Sequence, residues 1–194
     1  MAFCFKYPGG AEVELSMLFV DVRGSTSIAE RMSAADFSRL MKRFYAAATG
    51  VLIRTDAFID KLVGDEVIGL YFPLFTGPNH ARAAVGAAQQ LLRVTGHGDR
   101  EGPWLSVGAG VHTGTAFVGT VSGAEGTVND VTALGDNVNI TARLASKAGP
   151  GEALISDVAY VAAGLDLGIL EQRQLELKGK SEPINVRVMR ASVR

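Results

Sequence analysis

The stretch "AFIDKLVGDEVIGLYFP" (57–73) constrains the fold more than any other part of the chain. Two apolar, alternating runs flank a Val-Gly-Asp-Glu tip, which is the pattern of a β-hairpin. Gly and Asp suit the tight geometry of such a turn. A hairpin brings antiparallel neighbours into a chain whose other strands and helices are interleaved. Two acidic residues, Asp65 and Glu66, stand at the tip between flanks that read as buried, and Lys61 lies four residues before Asp65.

The rest of the chain supplies the frame. "MLFVDVRG" (17–24) is an apolar, β-branched run of strand length that reaches Asp21. "STSIAERM" reads as a short helix with Ser25 or a neighbour near its cap. In "SAADFSRLMKRFYAAATGVLIRT" Ser33 and Asp36 resemble a capping box. Phe37, Leu40, Met41, Phe44, Tyr45, Ala48, Val51 and Leu52 then recur at helical spacing, so a long amphipathic helix follows. A second helix runs through "PNHARAAVGAAQQLLRVTG", between Pro78 and Gly96. "WLSVGAGVHTGTAFVGTVSG" reads as two Gly-rich strands, "LGDNVNITARLASKA" as a third helix, "EALISD" as a strand and "VAYVAAG" as a short helix. "GILEQRQLELKGKSEPINVRVMRA" reads as two strands around a polar turn. The order is β-α-β-β-α-β with appended strands and helices. It predicts an α+β fold with a ferredoxin-like core and an antiparallel-containing sheet flanked by helices. With 194 residues, and no repeat or linker, the chain reads as a single domain, 1–194.

Charge and cysteine usage narrow the function. A net charge of −1 gives no basic field for nucleic acid or for an anionic membrane, so a phosphate-bearing ligand must be held by a few placed groups or by metal ions. Cys4 is the single cysteine, which suits a reducing, cytoplasmic setting. It shows no zinc-ligand spacing with His80, His97 or His112. "MAFCFKYPGG" lacks the features of a signal peptide, and no uncharged apolar run reaches the length of a membrane span.

Asp21 ends the first strand and Asp65 marks the hairpin tip. In a β-α-β-β core these strands are neighbours, so both carboxylates reach one border of the sheet. Two hard oxygen ligands with backbone carbonyls suit Mg²⁺ or Mn²⁺, which complete their shells with water and phosphate oxygens. The following "VRGST" offers backbone N–H groups to phosphate at a helix start. On the third helix Asn139 and Arg143 are spaced i and i+4, on one face.

With these residues in view, the chain resembles the class III nucleotidyl cyclases, the catalytic domain of adenylate and guanylate cyclases. The resemblance covers about 17–188 and rests on "FVDVRGST", "DKLVGDE", "GVHTGTAFVG", "TALGDNVNITARLAS" and "LKGK", in the family's order and spacing. It implies that Asp21 and Asp65 hold two Mg²⁺ or Mn²⁺ ions per active site, with the carbonyl of Val22. It implies that the backbone of Arg23, Gly24, Ser25 and Thr26 holds phosphate, and that Lys61 and Thr132 read the base. Lys at the first position marks adenylate cyclases. Thr at the second marks a subgroup that includes bicarbonate-responsive enzymes, so bicarbonate is an implied regulator. Asn139 would orient the ribose and Arg143 would stabilise charge at the α-phosphate. Lys178 or Lys180, with Lys180 preferred, would bind the terminal phosphates. The family often has a further basic residue before the Asn/Arg helix. Here no Lys or Arg lies between Ser106 and Arg143, and His112 is the titratable base of that stretch.

The implied activity is conversion of ATP to 3′,5′-cyclic AMP and pyrophosphate by a homodimer with its sites at the interface. Asp21 and Asp65 would come from one subunit, and Lys61, Thr132, Asn139, Arg143 and the late lysine from the other. The alternatives are a guanylate cyclase, a non-catalytic nucleotide-binding module, and a diguanylate cyclase with a similar hairpin. The diguanylate cyclases do not need the Asn139–Arg143 helix. A non-catalytic module would be marked by loss of a metal Asp, the Asn or the Arg, and none is lost.

Overall fold

The computed structural model describes residues 9–122 and 129–192; Cys4 lies outside them. The chain forms β1 (Ala11–Val22), α1 (Ser25–Arg31), α2 (Ala34–Arg54), β2 (Phe58–Val63), β3 (Glu66–Tyr71), α3 (Pro73–Thr76) and a 3₁₀ turn (Gly77–Asn79). Then follow α4 (His80–Val94), β4 (Val107–Ser122), β5 (Asn129–Leu134), α5 (Asp136–Lys147), β6 (Glu152–Ser156), α6 (Asp157–Ala163), β7 (Glu171–Leu175) and β8 (Ile184–Arg190). One sheet runs in the order β2-β3-β1-β4-β6-β8-β7, with β5 pairing β4. Its neighbours are antiparallel except β4 and β6. The first four strands carry the ferredoxin-like order, so the expected fold class is the observed one.

The alternation along β1 explains the layers. Leu18, Val20 and Val22 face a core made with Phe44, Val51 and Leu91 of α2 and α4. Leu15, Met17 and Phe19 face the other side, with Ile68, Leu70, Ala133 and Ala145. A strand buried on both faces must be apolar at both parities, which is why this segment reads as a continuous run. α2 begins as expected, Ser33 accepting from the Asp36 N–H at 3.1 Å.

Two boundaries differ from the expectation. β1 starts at Ala11 instead of Met17, because its polar first turn of pleat, "AEVE", still pairs with Val118 to Thr115. The two Gly-rich strands are one, β4, which bears β1 along one side and β6, then β5, along the other. The cap expected at Ser25 or a neighbour is Gly24, with Ser25 the first residue of α1. β4 is also curled. Gly108 stands opposite Asp21 and Gly119 opposite Thr132, yet the Thr132 hydroxyl meets Lys61 of β2. The β4–β5 arm therefore folds over the second face of the sheet until β5 lies against β2. No described helix is long and apolar enough to cross a membrane.

Candidate active site

β1 delivers Asp21 to the end of the sheet, in register with Glu66 of β3 and Gly108 of β4. The hairpin tip is tied to the same place, since Val22 N–H donates to the Asp65 carbonyl at 3.0 Å. Ser25 Oγ donates to the Asp65 carboxylate. Burial pushes the Asp21 carboxyl above its usual range; Arg23 opposes the shift and Asp65 adds to it. Burial, then Asp21 and Asp65, push Glu66 the same way. This is a crowded acidic spot that a cation would relieve. Among the described residues no three His, Cys, Asp or Glu side chains form a metal-holding group. Asp21 and Asp65 are two hard oxygen donors, a chemistry that fits a divalent ion drawing its remaining ligands from phosphate and water.

Arg23 turns inward. Its guanidinium pairs with Asp21, and its Nη1 donates to the carbonyls of Ser146 at 3.2 Å and Ala148 at 3.1 Å, at the end of α5. Its backbone N–H donates to the Ser106 carbonyl at 2.8 Å. The amides open to an anion are therefore further on, where Ser25 and Thr26 begin a helix and have no intrahelical acceptor.

Lys61 and Thr132, distant in sequence, meet. Lys61 Nζ lies 3.4 Å from Thr132 Oγ1. Thr132 Oγ1 lies 3.4 Å from Asp60 Oδ2, and Lys61 Nζ lies 3.8 Å from the same oxygen. The Asp60 side chain is only 5% exposed. Sequence reasoning passed over Asp60 because the neighbour of Lys61 on a regular strand points to the opposite face. The pairing of β2 with β3 slips between Ile59 and Lys61, and such a bulge re-aims side chains.

α5 carries an exposed Asn139 and a half-buried Arg143. The Arg143 guanidinium nitrogens lie 3.9 Å from where a Cβ on Gly179 would stand, so the "LKGK" turn borders Arg143. Lys180 forms an ion pair with Asp136 in the first turn of α5, whereas Lys178 is exposed. Two glycines of β4 make room for the helix: a Cβ on Gly110 would come within 2.7 Å of the Thr141 carbonyl, and one on Gly114 within 2.6 Å of the Asn137 side chain. The close neighbour of both glycines is α5. Asn137 was also missed. It bonds His112 Nε2 at 2.9 Å and the Thr115 carbonyl at 2.8 Å.

Residues 10–189 match the model of the adenylate and guanylate cyclase catalytic domain. An adenylate cyclase of Anabaena cylindrica is 32% identical over 139 residues, which are 67% of this chain and 26% of that protein, so this chain spans about a quarter of the relative. Among solved structures, the guanylyl cyclase Cya2 is similar with a TM-score of 0.83 at 25% identity, covering 96% of this chain and 95% of that one. The adenylyl cyclase CyaB from P. aeruginosa is similar with a TM-score of 0.81 at 27% identity, covering 94% and 96%. From the hairpin and the β1 end to the helix of Asn139 and Arg143, the chain belongs to the adenylate and guanylate cyclase catalytic domain family.

Proposed function

We propose that the chain is an adenylate cyclase, converting ATP to 3′,5′-cyclic AMP and pyrophosphate in the cytoplasm. The observation that carries this reading is the 3.4 Å approach of Lys61 Nζ to Thr132 Oγ1. It puts a cationic donor and a hydroxyl side by side, where one base edge could meet both. Lys61 has donors only. They match adenine N1, an acceptor, and oppose guanine N1–H. A donor facing a donor leaves a buried group unsatisfied, at about 1–3 kcal/mol.

The other residues follow the chemistry of ring closure. Asp21, Asp65 and the Val22 carbonyl would hold two Mg²⁺ or Mn²⁺ ions. When bound, the metals lower the pKa of the ribose 3′-hydroxyl and neutralise the leaving pyrophosphate. Asn139 orients the ribose. Arg143 presents fixed, forked donors to the charge growing at the α-phosphate; such a contact is worth on the order of 3 kcal/mol, roughly 10²-fold in rate. Lys180 and the amides from Gly24 to Thr26 hold the terminal phosphates. The active unit is a twofold homodimer in which Asp21 and Asp65 of one subunit face Lys61, Thr132, Asn139, Arg143 and Lys180 of the other. Thr132 extends the reading to activation by bicarbonate at constant pH, tested against chloride-matched controls.

The likeness to Cya2 favours a second reading, a guanylate cyclase. Turnover of ATP and GTP by the purified protein with Mn²⁺ or Mg²⁺, with cyclic products separated by chromatography, decides between them. At least a roughly tenfold preference for ATP in kcat/KM is expected. Equal use of both nucleotides overturns the adenylate reading, and no cyclic product from either leaves a nucleotide-binding module.

A further inference from the structure

We infer that Asp60 is a positioning residue for base selection, fixing the direction of the Thr132 hydroxyl so that it accepts rather than donates. The inference rests on the reading of Lys61 and Thr132 as base readers and adds a residue to it. Thr132 Oγ1 sits between two groups of fixed polarity. Lys61 Nζ, at 3.4 Å, only donates. The Asp60 carboxylate, at 3.4 Å, only accepts. The hydroxyl proton therefore points to Asp60 and one lone pair receives Lys61. One lone pair is left for a ligand.

The surface offered to a base is then a donor, Lys61, beside an acceptor, Thr132. Adenine presents the complement, acceptor N1 beside its donor amine N6. Guanine presents the reverse, donor N1–H beside acceptor O6. A threonine by itself is indifferent, because a hydroxyl both donates and accepts. Asp60 removes that indifference. It is placed to do so by the bulge between Ile59 and Lys61. In a regular pleat Asp60 and Lys61 would face opposite sides of β2; here both reach Thr132. With 5% of its side chain exposed, Asp60 acts on the base through Thr132.

The test is the Asp60→Asn variant, assayed for kcat/KM with ATP and with GTP beside the wild type. The Asn amide can donate to Thr132 Oγ1 and free the hydroxyl to turn outward. The expected result is a roughly tenfold loss of the ATP-over-GTP ratio, with the ATP value falling and the GTP value held or raised. In a Thr132→Val background Asp60→Asn should leave the ratio unchanged, because the hydroxyl it directs is gone. A wild type that prefers ATP, with a variant that loses both activities by the same factor, overturns the role of Asp60 and leaves the base readers standing. A wild type that does not discriminate overturns the base reading itself, and this inference with it. If thermal melting shows that Asp60→Asn is unfolded, Asp60→Ser, whose hydroxyl also donates, replaces it under the same criteria.

Discussion

His112 and Asn137 form a bond of fixed direction that anchors the start of α5. The Asn137 amide nitrogen donates to Thr115, so its Oδ1 accepts from His112 Nε2 at 2.9 Å. His112 Nδ1 then accepts from Ser156 Oγ at 2.8 Å, and Ser156 caps α6 by accepting from Ala159 N–H at 3.2 Å. One neutral imidazole joins β4 to the first turns of two helices.

That arrangement makes stability depend on pH. Burial holds His112 below its ordinary pKa, with Asn137 opposing, and burial lowers His80 and His97 too. The unfolded chain therefore binds more protons than the folded one just below pH ~6.5. The stabilisation is complete above that value and is lost as pH falls through the lowered folded values. His112→Gln, which cannot titrate, should lose less stability than the wild type between about pH 7.5 and pH 5.5. Urea melts at the two pH values check this, and parallel losses would refute it. Asp21 and Glu66, raised in the fold, run the other way, but they are common to both proteins and cancel in the comparison.

Asp21→Asn and Asp65→Ala should each abolish turnover, because no neighbour replaces a hard oxygen ligand. Neither should unfold the protein. With no divalent ion present, Asp21→Asn should melt at or above the wild-type temperature, since it removes a charge that burial disfavours. Calorimetry in chelator and product assays in Mn²⁺ provide the two readouts. Retention of most activity by either variant would end the two-carboxylate reading.

The two late lysines should separate. Lys180 reaches Asp136 on α5, near Arg143, while Lys178 is exposed. Lys180→Ala should raise KM for ATP by roughly tenfold or more, and Lys178→Ala should stay within about twofold. The reverse order would move the phosphate site to Lys178.

Subunit mixing tests the shared sites. Asp65→Ala and Arg143→Ala should each be inactive alone. After free exchange about half of the dimers are mixed, and each mixed dimer has one site with both lesions and one with neither. Activity should return to about a quarter of wild type. No recovery after exchange is confirmed by mass would mean that each site is built within one chain.

Much of the fold was legible because its signals are local. The spacing from Phe37 to Leu52 and the Ser33 cap mark α2, and the alternation around Gly64 and Asp65 marks the hairpin. The fusion of two expected strands into β4 was not legible. Its Gly110 and Gly114 make room for a helix distant in sequence. At the candidate site, Asp21 and Asp65 were readable from strand ends and Asn139 and Arg143 from helical spacing, while Lys61 and Thr132 came only from the family resemblance. Asp60 and Asn137 were not, because one depends on a register slip in β2 and the other on a bond across β4 and α5. Neither leaves a periodic trace. The inward turn of Arg23 was also hidden, since its partners Ser146 and Ala148 become neighbours only when α5 lies on the sheet.

The seat of α5 on Gly110 bears on how such a site could be controlled. Where a side-chain layer separates helix from strand, the helix can slide by small rotamer adjustments, the basis of shear motion. At Gly110 that layer is missing: even one carbon there would press to 2.7 Å from the Thr141 carbonyl. Helix and strand meet backbone to backbone and leave no lubricating layer. The helix that carries Asn139 and Arg143 is thus seated on the sheet with no room to slide at Gly110.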